Sequence, residues 1–369
     1  MIPADIGAEI AWVLRAGTAS GEWPGGAADV SAAGTWRPAP AAISTGPGCY
    51  ATSLPLALGR LAERPAAAVA AALAARLAGV PWISAARVTG HGYLTVSVTQ
   101  DHLAALPARI VAAGQAAASS DALAGRRLAA PARPDPAASA TWEQAWQAQQ
   151  DTLTGRLARA AGMQVLFIDS QLDERPSSTT RASPGTAPVS AGNPAEAVAC
   201  YGAEAVGYAL ARTSAPRAER IERQLALPVD LDNPFVAVRY AHAAAASTLR
   251  WAADLRLARG PVPSAGARSP AELRPPELTL LEAMSWLQER VAAAARRRRP
   301  AELAAYLEYL AAAWLDCRES CPALPFQGRA APDDAAAPLV FARLGLAEAA
   351  RVTLACGLSL LGVHPPDRI

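Results

Sequence analysis

Residues 196–369 carry apolar side chains at helical spacing almost throughout, and this run constrains the fold more than any other feature of the sequence. The run is broken at 261–270 (PVPSAGARSP) and at 328–338 (GRAAPDDAAAP), where proline and glycine accumulate. Pieces of this length joined by short connections are typical of helical bundles. We therefore predict a C-terminal bundle of about five or six helices over 196–369.

A smaller domain with both helices and strands is predicted over residues 1–120. Residues 1–15 predict a short helix, and residues 49–78 predict two helices that meet at Pro65. Residues 82–99 alternate between apolar and polar side chains and predict two strands around Gly90-His91-Gly92. The predicted fold class is accordingly α+β and mainly α-helical, with a small α/β N-terminal domain followed by the bundle.

The stretch between these domains, 121–195, is predicted to be a linker module. Proline and alanine dominate 125–140, which predicts a linker. Residues 141–162 predict one helix and residues 163–169 one buried strand, while the Ser, Thr, Pro and Gly content of 170–195 predicts disorder. One helix and one strand are too little for a parallel α/β domain, which needs several β-α-β units.

The charged residues limit the chemistry that the chain can perform. All 34 basic residues are arginine, against 32 acidic ones, for a formal net charge of +2. Without lysine, a Schiff-base lysine and a P-loop lysine are excluded. Because the net charge is nearly neutral, a polyanionic partner would have to be held by local basic patches.

Several other classes of protein do not fit the composition. The five cysteines show no CxxC spacing and the four histidines are scattered, so we expect no metal site and no cofactor. The acidic N-terminal stretch is unlike a secretory signal, and no apolar run reaches the ~20 residues of a membrane span. We predict a cytoplasmic protein without metal or membrane partners.

Three local features leave structural and functional interpretations open. The run Arg296–Arg299 before Pro300 is either a solvated helix end or a phosphate-contact patch. Tyr306, Tyr309 and Trp314 lie at helical spacing, which fits either a packed core or base-stacking side chains. Tyr240 and His242 stand two apart on one predicted helix, so they cannot both point into the same core.

Several segments together carry a resemblance to one family. The segment 233–250, NPFVAVRYAHAAAASTLR, resembles the N-P-x-x-Y-V-Q-Y-A-H-A-R-I-x-S-x-L-R segment of arginyl-tRNA synthetases. Residues 201–226, 303–324 and 342–369 resemble neighbouring segments of the anticodon-binding domain in that family. GCYATSLPLALGRL and VTGHGYLTVSVT resemble elements of its N-terminal additional domain. The resemblance implies an N-terminal additional-like domain at 1–120 and a DALR-type anticodon-binding bundle at 196–369.

The resemblance also implies transfer RNA as a partner, with arginine tRNA as one candidate. A protein partner such as a full-length synthetase is the alternative. By resemblance, two aromatic rings of the bundle would stack on bases and its arginines would contact phosphates or bases, while the N-terminal strands would meet the tRNA elbow. The implied RNA-binding residues are Arg239, Tyr240, His242, Arg250, Trp314, Arg318, Arg368, Arg87, Tyr93 and Thr95.

The sequence departs from the family at the ATP-binding motifs H-I-G-H and K-M-S-K-S, which it lacks, and Gly207 and Ala244 replace family arginines. From these departures we predict that the chain is not an enzyme and that it neither binds ATP nor aminoacylates tRNA alone. The predicted function is that of a non-catalytic tRNA-binding paralogue. A protein-interaction module without RNA binding is the alternative, and ligase activity retained within a complex is a third.

Overall fold

The computed structural model describes residues 1–27, 30, 35–38, 47–131, 139–168, 193–257, 273–324 and 337–369. Most of the segment 170–195 that was predicted to be disordered lies outside these residues. Its last three residues, 193–195, are described and belong to a helix start, so the prediction of disorder is wrong there.

The described helices and strands alternate in the N-terminal half and give way to helices after residue 193. The helices are α1 (Ile2–Ala19), α2 (Leu54–Leu61), α3 (Ala66–Leu77), α4 (Gln100–Ala104), α5 (Leu106–Ala113), α6 (Trp142–Ala160), α7 (Pro194–Tyr201), α8 (Ala203–Arg212), α9 (Ala218–Leu225), α10 (Pro234–Asp254), α11 (Pro275–Ser285), α12 (Leu287–Arg297), α13 (Pro300–Ser320) and α14 (Ala337–Leu360). The strands are β1 (Trp36–Pro38), β2 (Cys49–Thr52), β3 (Ile83–Thr89), β4 (Tyr93–Val98), β5 (Arg127–Pro131) and β6 (Gln164–Ile168). The mainly helical α+β fold class is confirmed.

The N-terminal sheet has the strand order β1-β2-β4-β3, with every neighbouring pair antiparallel. The hairpin β3–β4 turns at Gly90-His91-Gly92, as the alternating pattern predicts, and α2 and α3 meet at Pro65. Strand β2 differs from the expectation, because Cys49–Thr52 had been included in a helix. Tyr50 pairs with Val96 in the sheet and its ring is fully buried, a long-range contact that local helical spacing does not reveal.

A β-α-β unit occupies the region that was predicted to be a linker module. Strand β5 pairs in parallel with β6, and α6 makes the connection between them. The expectation of a linker over 125–140 is therefore wrong at Arg127–Pro131, which form a paired strand in which the buried side chains of Leu128 and Ala130 alternate with exposed ones. Strand β6 is less buried than predicted, since Leu166 is 45% exposed.

Eight helices, α7 to α14, are described between residues 194 and 369, against the five or six expected. The difference comes from breaks that are shorter than the periodicity resolves. Gly202, with a φ of 84°, separates α7 from α8, and a bend at Trp286 separates α11 from α12. Glycine adopts a positive φ such as that of Gly202 without strain, and this backbone conformation ends α7 at that residue. None of the described helices combines the length and apolarity that crossing a bilayer requires.

The N-terminal domain and the bundle share one continuous core. The hydroxyl of Tyr50 lies 2.8 Å from that of Ser285, and the rings of Tyr50 and Trp286 pack with centroids 5.2 Å apart. The amine of Met1 also donates to the side chain of Gln288. Either half on its own would expose apolar surface that is now buried, so the two halves are not independent modules on a tether.

Candidate nucleic-acid interface

Helix α10 forms the centre of the candidate interface. It begins at Asn233, whose side chain accepts a hydrogen bond from the amide of Phe235 at 3.1 Å, with Pro234 in the first turn. Both residues suit a helix start, because asparagine satisfies a free amide and proline has no amide to satisfy. The helix packs against α13 and α14, and its run of alanines, Ala243–Ala246, is buried. Small side chains of this kind allow neighbouring helices to approach closely.

The two sides of α10 have different surroundings. Val238, Ala241 and Ala245 are buried in the common core. Arg239 and Arg250 are half-buried and lie about three turns apart on one side of the helix. The guanidinium of Arg239 lies 5.0 Å from the ring centroid of Phe235, a cation–π distance.

Tyr240 and His242 point in different directions, as their spacing predicts. His242 is 1% exposed, and its Nδ1 lies 2.8 Å from the carbonyl oxygen of Pro366. Its Nε2 is buried, and the described residues offer it no hydrogen-bond partner. Burial lowers the pKa of His242, which favours the neutral ring that donates from Nδ1 to Pro366. Tyr240 is half-buried and reaches the surface.

We expect His242 to make stability fall on acidification. The unfolded residue takes up a proton near its ordinary pKa of about 6.5, whereas the buried residue takes one up only at a lower pH. The contribution of the neutral ring to stability is therefore complete above about pH 6.5 and is lost as the pH falls below 6.5 towards the lowered pKa. Urea unfolding at about pH 7.5 and pH 5.5 should show a larger loss for the wild type than for His242→Gln.

The amine of Met1 titrates in the same pH range but does not affect this comparison. Burial lowers its pKa to about 6, so it titrates over the same range in both proteins and cancels in the difference. Equal pH dependence of the wild type and His242→Gln would show that the folded protein protonates the His242 ring as readily as the unfolded chain does, which contradicts the prediction.

The C-terminal tail brings Arg250 and Arg368 together. Nη1 of Arg250 donates to the carbonyl oxygen of Asp367 at 2.7 Å, and Arg368 follows directly and is exposed. The amide of His364 donates to Oε1 of Glu204 at 3.0 Å, which attaches the tail to α8 as well. Arg250 and His242 thus hold the tail against α10, and part of the hydrogen-bonding capacity of Arg250 is used within the protein.

The two remaining candidates on α13 have opposite environments. Trp314 is 3% exposed and belongs to the common core, so its ring does not reach solvent. Arg318 is exposed in the last turn of the same helix. The two tyrosines that lie at helical spacing with Trp314 also differ. Tyr306 is buried and donates to the carbonyl oxygen of Ala283 at 2.9 Å, whereas Tyr309 is exposed.

The N-terminal candidates lie together on the hairpin β3–β4. Arg87 pairs directly with Thr95, and Tyr93 is two residues along the same strand, so the three side chains share one face of the sheet. Arg87 is exposed and Tyr93 is half-buried. Thr95 is buried, and its hydroxyl lies 2.9 Å from that of Thr89, so its polar atom is occupied within the sheet.

Trp251 was not among the residues that the sequence predicted for this surface. This residue is 59% exposed and follows Arg250 on α10. It lies about three turns after Tyr240 on the same side of the helix, so the surface of α10 presents two aromatic rings, each next to an arginine. Extending the helical pattern of 233–250 by one residue would have identified it.

The comparisons with known proteins agree with this architecture. Residues 238–369 match the DALR anticodon binding domain family. Over 172 residues, 47% of this chain, the sequence is 38% identical to the arginine–tRNA ligase of Frankia alni, and the match spans 30% of the length of that protein. The structure of Thermus thermophilus arginyl-tRNA synthetase is similar with a TM-score of 0.57 and 15% identity, covering 100% of both chains.

The class of protein domain that residues 238–369 match is thus the anticodon-binding domain. The C-terminal part of this chain carries a DALR anticodon-binding domain and is homologous to arginyl-tRNA synthetases, which confirms the resemblance there. The likeness to the Thermus structure supports the fold alone, because the sequence identity is low. Within the described residues, no group of three or more His, Cys, Asp or Glu side chains is placed to hold a metal.

The prediction that the chain is not an enzyme is wrong. The Frankia relative is named an arginine–tRNA ligase, and the structural likeness to the Thermus synthetase extends over both complete chains, so a lost catalytic core is not what the comparisons indicate. The prediction depended on missing sequence motifs and on the absence of lysine. Arginine also binds phosphate, in a bidentate manner, so the absence of lysine does not exclude phosphate chemistry.

Proposed function

We propose that this chain binds transfer RNA in arginine–tRNA ligation and that the exposed side of α10 contacts the anticodon arm. The observation that carries the proposal is the combination of Tyr240 and Trp251 with Arg239 and Arg250 on the surface of a DALR domain. Aromatic rings stack on unpaired bases of any kind, and guanidinium groups bind phosphates and base edges. An anticodon loop offers both unpaired bases and a bent phosphate backbone.

The candidates divide into exposed and buried groups in this proposal. The residues accessible enough to reach RNA are Arg239, Tyr240, Arg250, Arg318 and Arg368, and Trp251 joins them. His242 and Trp314 support the bundle from inside. Arg87 and Tyr93 form a second surface on the N-terminal hairpin, which would meet a more distant part of the same RNA because both domains share one core.

We expect Tyr240→Ala and Trp251→Ala each to weaken binding of arginine tRNA by about 1–3 kcal/mol, the usual contribution of one base-stacking ring. The measurement is a titration of labelled tRNA at two salt concentrations, because phosphate contacts make affinity fall as salt rises. Neither variant should change the melting temperature substantially, since both rings reach solvent.

Trp12 provides the matched control, because it is a 62% exposed tryptophan on α1. Trp12→Ala removes the same side chain from a different surface and should leave the affinity for tRNA unchanged. The proposal is wrong if the wild type shows no salt-dependent tRNA binding, or if all three variants lose affinity equally. The first of these outcomes would favour a protein-interaction module.

A further inference from the structure

A basic cleft lies away from the candidate surface of α10. It has a volume of 750 Å³ and lies between α6, the turn after α8 and the junction of α12 with α13. The residues Arg297, Arg298 and Arg299 line one wall, and Trp146, Gln150 and Thr213 belong to the opposite wall. The three arginines are part of the four-arginine run whose role the sequence left open.

The backbone presents the arginines at a sharp turn between two helices. Arg298 is in the left-handed region, with φ 52° and ψ 45°, and caps the C-terminus of α12, while Arg299 precedes the first turn of α13. All three side chains are exposed. Pro300 has no amide and the amide of Glu302 donates to the carbonyl oxygen of Arg299 at 3.0 Å, so the positive potential of the cleft comes from the guanidinium groups.

The charges of the cleft leave a positive excess. Nη1 of Arg297 lies 2.8 Å from Oε2 of Glu302, so this pair is neutral overall. Asp151 accepts hydrogen bonds from Gln147 at 3.0 and 3.1 Å and is the second carboxylate in the lining. Within the described residues, the guanidinium groups of Arg298 and Arg299 have no hydrogen-bond or ion-pair partner, so two cations remain against one carboxylate.

The opposite wall is held in place by hydrogen bonds to backbone. Nε1 of Trp146 donates to the carbonyl oxygen of Thr213 at 2.8 Å, and Nε2 of Gln150 donates to that of Leu210 at 3.0 Å. A cleft whose wall is already ordered loses little conformational entropy when a ligand enters. Because its cations are exposed, a small free phosphate would be bound weakly, whereas a chain of phosphates makes several contacts at once.

We propose that this cleft binds the phosphodiester backbone of the tRNA through Arg298 and Arg299, as a contact separate from the surface of α10. The inference rests on the proposed function, since it assigns a second site to the same RNA. Helix α13 is about 30 Å long, so the cleft at its start and Arg318 at its end would meet different parts of the molecule.

The test is the double variant Arg298→Gln/Arg299→Gln, which removes both charges and keeps most of each side chain. In a titration of arginine tRNA, we expect affinity to fall about tenfold at low salt and the slope of log affinity against log salt to decrease by about 2, one for each phosphate contact. The control Arg126→Gln/Arg127→Gln removes two exposed charges near β5 and should change neither quantity substantially.

Measuring Tyr240→Ala beside the cleft variant separates this inference from the proposed function. If Tyr240→Ala weakens binding but the cleft variant keeps the full salt slope, or changes it only as much as the control does, the cleft proposal is overturned alone. If only the cleft variant acts, the assignment of α10 is overturned and the cleft remains. If the wild type binds no tRNA, both are overturned. Circular dichroism and melting temperature verify that each variant is folded.

Discussion

Replacing Arg343 with alanine is expected to lower the free energy of unfolding by about 3–5 kcal/mol, a large part of the 5–15 kcal/mol that ordinary domains have. Nε of Arg343 lies 3.0 Å from Oε1 of Glu277, whose side chain is 0% exposed, and Nη1 also donates to the carbonyl oxygen of Pro322 at 3.0 Å. Without the guanidinium, the Glu277 carboxylate stays buried without its cation, which is far costlier than losing a surface ion pair.

The double variant Glu277→Gln/Arg343→Met tests this explanation. It removes both charges, so it should recover a substantial part of the stability that Arg343→Ala loses. Chemical unfolding of the two variants and of Arg297→Ala, which breaks the exposed pair with Glu302, provides the comparison. We expect Arg297→Ala to cost less than about 1 kcal/mol. A loss for Arg343→Ala no larger than that of Arg297→Ala would show that Glu277 is solvated or rearranges.

Replacing Trp314 with alanine is expected to destabilise the bundle by about 3–5 kcal/mol, because it removes a large buried ring and leaves a cavity. The affinity of the remaining folded protein for tRNA should not change. Chemical unfolding gives the first quantity, and an RNA titration corrected for the folded fraction gives the second.

Trp314→Phe distinguishes the core role from the stacking role that the resemblance implies. Nε1 of Trp314 is buried, and the described residues offer it no hydrogen-bond partner, so phenylalanine loses ring area but also removes an unsatisfied donor. We expect it to cost clearly less than alanine. A variant that loses tRNA affinity with unchanged stability would contradict the core assignment and favour a rearrangement that exposes the ring.

Much of the local structure could be predicted from the sequence because its causes are local. Asn233 accepts a hydrogen bond from an amide in the first turn of α10, and Pro234 has no amide that needs a partner. Both residues therefore indicate where the helix begins. Alternation over β3 and β4, with glycines between, indicates the hairpin. Motif resemblance identified the anticodon-binding domain, because such motifs depend on residue types in their order along the chain.

Other features of the fold depend on partners that are distant in the chain, and the predictions made for them were incomplete or wrong. Strand β5 was missed because its stabilising partner β6 follows a 19-residue helix, and proline and alanine conceal its weak alternation. The prediction that the chain is not an enzyme relied on absent motifs, whereas the Frankia relative is named an arginine–tRNA ligase and the fold resembles that of a synthetase.

The sequence itself determined the helical periodicity, the helix starts, the hairpin and the family of the bundle. Each of these depends on neighbours within a few residues or on motifs in a fixed order. Only the tertiary structure decided which aromatic rings face solvent. Trp251 and Trp314 both lie on long helices, yet one is exposed and the other buried. His242 acquires its role from Pro366, 124 residues away, and Tyr50 from Ser285, 235 residues away. Burial is set by such distant packing partners, and the order of residues along one helix does not contain them.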